Sequence, residues 1–164
     1  MKTLVLGLGN PILTDDGVGV RVAEAVRAAL PAAASDVEVS EASVGGLSLM
    51  ERLVGYGRVI LIDAFHPATC PGTIHRLTLA DLQDISPTQH SVSAHDTSLV
   101  TALTMARRME LPLPQEFVIY AIEVENITDF GEQPTPAVAA AIPQAAMMVL
   151  KQLDVWTKSQ GIIP

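Results

Sequence analysis

Three nearly uninterrupted apolar runs mark the chain: Leu4-Val5-Leu6-Gly7-Leu8, Arg58-Val59-Ile60-Leu61-Ile62-Asp63 and Phe117 to Ile122. Runs of this length with no alternation are the pattern of strands buried on both faces. The second is the clearest, β-branched, continuous and ending on a carboxylate. Val37-Glu38-Val39-Ser40-Glu41 alternates instead, as a half-exposed strand does, and Thr73 to Leu79 alternates after Pro71-Gly72 as an edge strand would. Helical spacing takes over from Val18 to Leu30, where Val18, Val22, Ala25 and Val26 form one stripe and Arg21, Glu24 and Arg27 lie off it; Pro31 ends it. A short helix is predicted near Leu47 to Val54 after Gly45-Gly46, and another from His95 to Met109 with Leu99, Leu103 and Ala106 along one face. The last helix, Ala137 to Trp156, contains Pro143, which is expected to kink or restart it. Asp81 to Val92 is polar and reads as a loop.

Strands and helices thus alternate with no internal repeat and no low-complexity linker. This order predicts one α/β domain over residues 1–164, a three-layer sandwich with a twisted, mostly parallel five-stranded sheet and helices on both faces. At 164 residues and 49% apolar composition the chain can bury about 70% of its unfolded surface without disulfide or metal support. Ligands of such sheets sit beyond the carboxyl ends of the strands. The residues that matter most are therefore Gly9 to Asp16, Glu41 to Gly46, Asp63 to Pro67 and Glu123 to Asn126.

Charge narrows the choice of partner. Eighteen acidic against ten basic residues leave a formal net charge of −8, which disfavours a phosphate backbone and so a nucleic-acid partner. The single cysteine, Cys70, has no partner for a disulfide or a Cys-x-x-Cys metal site and reads as a buried small side chain or a bystander. The opening Met1-Lys2-Thr3-Leu4-Val5-Leu6-Gly7 is too short for a signal h-region, and no run of 18 or more apolar residues is available to span a bilayer. A cytoplasmic monomer is the expectation. Between Arg108 and Lys151 the chain carries six acids and no basic residue, a solvated face or a docking surface for a basic partner.

The first loop, Gly7-Leu8-Gly9-Asn10-Pro11-Ile12-Leu13-Thr14-Asp15-Asp16-Gly17-Val18-Gly19, has Ile12 where a dinucleotide fingerprint needs its third glycine, and two adjacent carboxylates that would repel a pyrophosphate. Asp15 and Asp16 have a plain reading as N-cap and first-turn acids beside the helix dipole, which suits one better than both. Asp63 has a plain reading as the cap of the following turn. His95, in Ser93-Ala94-His95-Asp96, opens a helix with capping-box-like spacing. There the dipole favours a neutral imidazole able to bind metal, although a single histidine is more often a surface residue. Taken together, Asp16, Asp63 and His95 offer two oxygens and one nitrogen, a set suited to a divalent transition metal with open positions. His66, three residues past Asp63, is a weaker candidate, for a secondary ligand or a substrate contact. His75 and His90 are weaker, His75 being placed on the exposed edge strand. No Gly-x-Ser-x-Gly elbow and no His-Glu-x-x-His helix occurs.

These segments in this order, Gly7-Leu8-Gly9-Asn10, Asp15-Asp16-Gly17-Val18-Gly19, Ile62-Asp63-Ala64 and Ser93-Ala94-His95-Asp96, resemble the NiFe-hydrogenase maturation endopeptidases. The region from Ile122 to Val138 is similar to that family's last strand and helix start. The resemblance implies a compact α/β enzyme that removes a C-terminal peptide from the hydrogenase large-subunit precursor once nickel is installed. It carries three metal-contacting positions onto Asp16, Asp63 and His95, which would also be the catalytic residues. Nickel would come with the precursor and serve as the recognition element. Where this chain has Asp16 the family often has Glu, a shortening that keeps the charge. The loop after the second strand departs further: Glu41-Ala42-Ser43-Val44-Gly45-Gly46 stands where many members have an Asp-Gly-Gly-Thr-like segment.

Two other readings compete. Peptidyl-tRNA hydrolases also open with a Gly-Leu-Gly-Asn-Pro run like Gly7 to Pro11, but follow it with an Arg-His-Asn segment where Asp15-Asp16-Gly17 stands here. A non-proteolytic metal or nucleotide sensor on the same scaffold would need no cleavage at all.

Overall fold

The computed structural model describes residues 1–32, 34–43, 47–66, 68–81 and 103–160. Five strands, β1 (Thr3–Leu8), β2 (Val37–Ala42), β3 (Arg58–Phe65), β4 (Ile74–Leu77) and β5 (Glu116–Glu123), form one sheet in the order β2-β1-β3-β5-β4. The first four in that spatial order are parallel, and β4 closes the edge antiparallel to β5. Burial tracks the apolar patterns. All six residues of β1 are buried, and β3 is buried from Arg58 to Ala64. The alternating segments β2 and β4 occupy the two edges and stay half-exposed. Strand β3 runs two residues beyond the carboxylate at which its apolar run ends, because Ala64 and Phe65 still pair with Ile122 and Glu123 of β5.

Side-chain alternation splits the core into two layers. Val5, Ile60, Ile62, Ala64, Val118, Tyr120 and Ile122 face α1 (Val18–Ala29) and the C-terminal helix α3 (Pro136–Gln160). Leu4, Leu6, Leu8, Val59, Leu61 and Ile119 face α2 (Leu47–Leu53) and Leu103, in the stretch 103–108 that is helical. The α/β sandwich with helices on both faces is thus the observed architecture.

Pro143 neither breaks nor restarts the last helix, which is one element from Pro136 to Gln160. Pro143 and Ala139, the residue whose carbonyl loses its helical partner, both lie on the exposed face, where water can satisfy that oxygen. The buried stripe of Val138, Ala141, Ala145, Val149, Leu153 and Trp156 continues past the proline without interruption. The predicted loop from 81 and the first half of the predicted helix from His95 fall mostly outside the described residues. Within them, 79–81 is already helical.

Candidate active site

Chain order reverses between β1 and β3: β1 is followed through α1 by β2 on one side, while β3 lies on its other side. The crevice beyond the carboxyl ends of these two strands is the binding position that the topology provides. Helix α1 starts against it with no room to spare. A Cβ on Gly19 would come within 2.3 Å of the Leu8 carbonyl oxygen and 2.4 Å of that of Ile62, and one on Gly7 within 2.2 Å of the Gly19 oxygen. The glycines of the opening motif therefore serve helix–strand contact rather than a phosphate. Gly9 turns the chain at φ 129°, and a side chain there would strike the Asp16 carbonyl.

This tight loop separates the two neighbouring aspartates. Neither caps α1: Gly17 is the N-cap, no side chain bonds the helix start, and no acid sits in the first turn. Asp15 is fully buried and turns away from α1. Its carboxylate accepts the amides of Glu125 (3.3 Å), Asn126 (3.1 Å) and Thr135 (2.7 Å) and the Thr135 hydroxyl (3.0 Å), clamping the 125–135 loop. Asp16 is half-buried, and its Oδ2 accepts the Asn10 amide at 2.7 Å. One acid is bound up in structure, and its neighbour lies beside the strand ends.

Asp63 is buried in β3, one residue past the last β1–β3 pair, Gly7 with Ile62, and its Oδ1 accepts the Ala64 amide at 2.9 Å. By alternation it belongs to the sheet face covered by α2 and the 103–108 stretch. Asp16 thus lies in the loop that follows β1, and Asp63 on the adjacent strand β3. His95 and His90 lie outside the described residues. Among the described residues no group of three His, Cys, Asp or Glu side chains is close enough to hold a metal ion. His66 is half-buried at the first position past β3. Glu41 pairs with Arg27 at 2.6 Å, and Ser43 donates to the Gly9 carbonyl at 2.7 Å, tying the loop after β2 to the loop after β1.

A second polar centre forms where the Glu123 to Asn126 segment begins, with His75 as an unexpected partner. Glu123, buried at the end of β5, accepts the amides of Thr69 and Cys70 (2.7 Å each), the Thr69 hydroxyl (3.3 Å) and His75 Nε2 (2.8 Å). The Cys70 amide, with His75 and Thr69 beside it, holds its carboxyl down at about 2 from an ordinary 4.5, against the opposing effect of burial. His75 is therefore not an idle edge residue. It bonds Glu123, and its ring lies 5.7 Å from that of Phe65. Cys70 is exposed and contributes only its backbone here. An acid closing an apolar strand was the signal at Asp63, and the same signal stands at Glu123.

The hydrogenase maturation protease model matches residues 20–152 of this chain, most of its length. The chain belongs to the hydrogenase maturation protease family. It is accordingly an endopeptidase, a hydrolase of peptide bonds, and the sensor and tRNA-hydrolase readings give way. The hydrogenase 2 maturation protease of Escherichia coli is 30% identical over 93% of this chain and 91% of its own length. The hydrogenase expression/formation protein HupD of Rhodobacter capsulatus is 29% identical over 94% of this chain and 72% of its own. Among solved structures, the hydrogenase maturating endopeptidase HybD of E. coli superposes with a TM-score of 0.77 at 28% identity, covering 94% and 93% of the two chains. Among the described residues of this hydrogenase maturation protease, no helix is long and apolar enough to cross a membrane.

Proposed function

We infer that this protease removes the C-terminal peptide from a NiFe-hydrogenase large-subunit precursor after nickel has been inserted. Asp16, Asp63 and His95 are the groups that engage the metal-bearing substrate. The observation that carries this reading is the separation of Asp15 from Asp16. The first is consumed by four hydrogen bonds in the loop, while the second is left half-buried in the loop after β1, the strand that pairs with the Asp63-bearing β3.

The donor set fits such a task. Two carboxylates and a neutral imidazole, with no thiolate, form a modest half-site for a divalent ion. An ion already held by the precursor's own ligands can complete its sphere there, so affinity depends on the substrate rather than on free metal. The same carboxylates, at the rim of a sheet, orient the polypeptide that follows the metal site toward the crevice between β1 and β3. The test mixes the purified protein with nickel-loaded and nickel-free precursor and follows the precursor's mass. Cleavage of the loaded form alone is expected. Equal cleavage of both forms would replace nickel recognition with ordinary peptide recognition.

A further inference from the structure

The most exposed large apolar side chain among the described residues is Phe130, 83% accessible, and Ile12, in the segment bridged to it, is 50% accessible. Neither exposure reflects a loose loop. The two segments are stitched together by an antiparallel bridge between Leu13 and Phe130, a hydrogen bond from the Gly131 amide to the Ile12 carbonyl (2.9 Å) and one from the Thr14 hydroxyl to the Asp129 carbonyl (2.7 Å). Asp15 clamps both ends of the same loop, at Glu125–Asn126 and at Thr135. Arg21 bonds the Glu132 carbonyl, and the Asn126 side chain accepts the Thr128 and Asp129 amides. The backbone is thus held on both sides of a phenylalanine that points into solvent.

Both segments are tied through the backbone to the candidate site. Ile12 lies in the loop that carries Asp16, and the Phe130 loop hangs from Asp15. Glu125, Asp129 and Glu132 are all exposed in the Phe130 loop, within the stretch from Arg108 to Lys151 that has no intervening basic residue. An exposed aromatic anchor in an acidic loop, on a pinned backbone, matches a peptide segment that carries an apolar side chain flanked by Lys or Arg. We propose that Ile12 and Phe130 form the docking platform for such a segment of the precursor polypeptide. The Glu125, Asp129 and Glu132 rim attracts its basic residues and delivers the chain to the Asp16–Asp63 crevice.

This proposal rests on the precursor-processing reading above, and the experiment separates the two. Cleavage of nickel-loaded precursor is followed by mass for the wild type, Phe130→Ala and the double variant Glu125→Gln/Glu132→Gln, with kcat and KM resolved at low and high salt. Phe130→Ala is expected to raise KM on the order of 10- to 100-fold, with the loss falling on KM rather than kcat and the melting temperature unmoved, as for truncation of an interface anchor. The double variant is expected to raise KM at low salt and to flatten its rise with added salt. If the wild type cuts the precursor and Phe130→Ala keeps the same KM, the platform is refuted while the activity stands. If the wild type does not cut it at all, both fall. Sedimentation supplies the remaining arm: a wild type that dimerises and a Phe130→Ala variant that does not would assign the ring to self-association and overturn the proposal.

Discussion

Replacing each of the neighbouring aspartates in turn should give opposite results. Asp15→Ala removes a fully buried carboxylate that serves three backbone amides and one hydroxyl. Each bond to a charged acceptor contributes roughly 1.5–3 kcal/mol, and an amide left buried without a partner costs about 1–3 kcal/mol. The losses are not additive: Glu125 is exposed, Asn126 and Thr135 are half-buried, and water will reach the freed amides. The expected destabilisation is about 2–4 kcal/mol, or a fall in melting temperature of roughly 4–16 °C for a domain of this size. Asp16→Ala gives up one observed bond, to the Asn10 amide in a half-exposed position, and should cost about 1 kcal/mol or less. Urea unfolding monitored by far-UV circular dichroism measures both, while precursor cleavage measures activity. Asp15→Ala should unfold early and retain kcat in proportion to its folded fraction; Asp16→Ala should stay folded and lose processing. If Asp15→Ala were as stable as the wild type to within about 0.5 kcal/mol, the clamp would be misread.

The Glu123 carboxyl, held at about 2 instead of 4.5, stabilises the fold only while ionised. That contribution is complete above pH 4.5 and fades as the pH falls toward 2. After allowance for screening around half-exposed His75 it is about 1–2 kcal/mol. Melting temperatures between pH 2 and 6 should therefore show a shallower acid decline for Glu123→Gln than for the wild type; parallel curves would exclude the effect. Leu61→Ala, fully enclosed between β3 and α2, should cost roughly 2–5 kcal/mol through its cavity, read as a lower urea midpoint at unchanged slope. His95→Ala should abolish processing with little loss of stability, and wild-type cleavage by that variant would remove His95 from the site.

Much of this molecule follows from the sequence without folding it. A run such as Arg58 to Asp63 can satisfy its side chains only in a sheet covered on both faces, so burial, parallel pairing and helix alternation follow from apolar pattern alone. The glycine-and-aspartate motifs, read in order, also carried the family. What they could not distinguish was partnership. Asp15 and Asp16 are chemically identical and adjacent, and only the arrival of residues 125–135, more than a hundred positions later, commits one to the loop and leaves the other at the rim. The same holds for His75, which alternation placed on an edge strand but which antiparallel pairing of β4 brings to Glu123. Pro143 was expected to disrupt a helix, yet its effect depends on which face it occupies, and packing on the sheet turned it outward. Local pattern decides which elements form, because hydrophobic burial is set by spacing along the chain. Which polar groups meet is decided by long-range contacts, because hydrogen bonds and ion pairs require partners that only the assembled fold supplies.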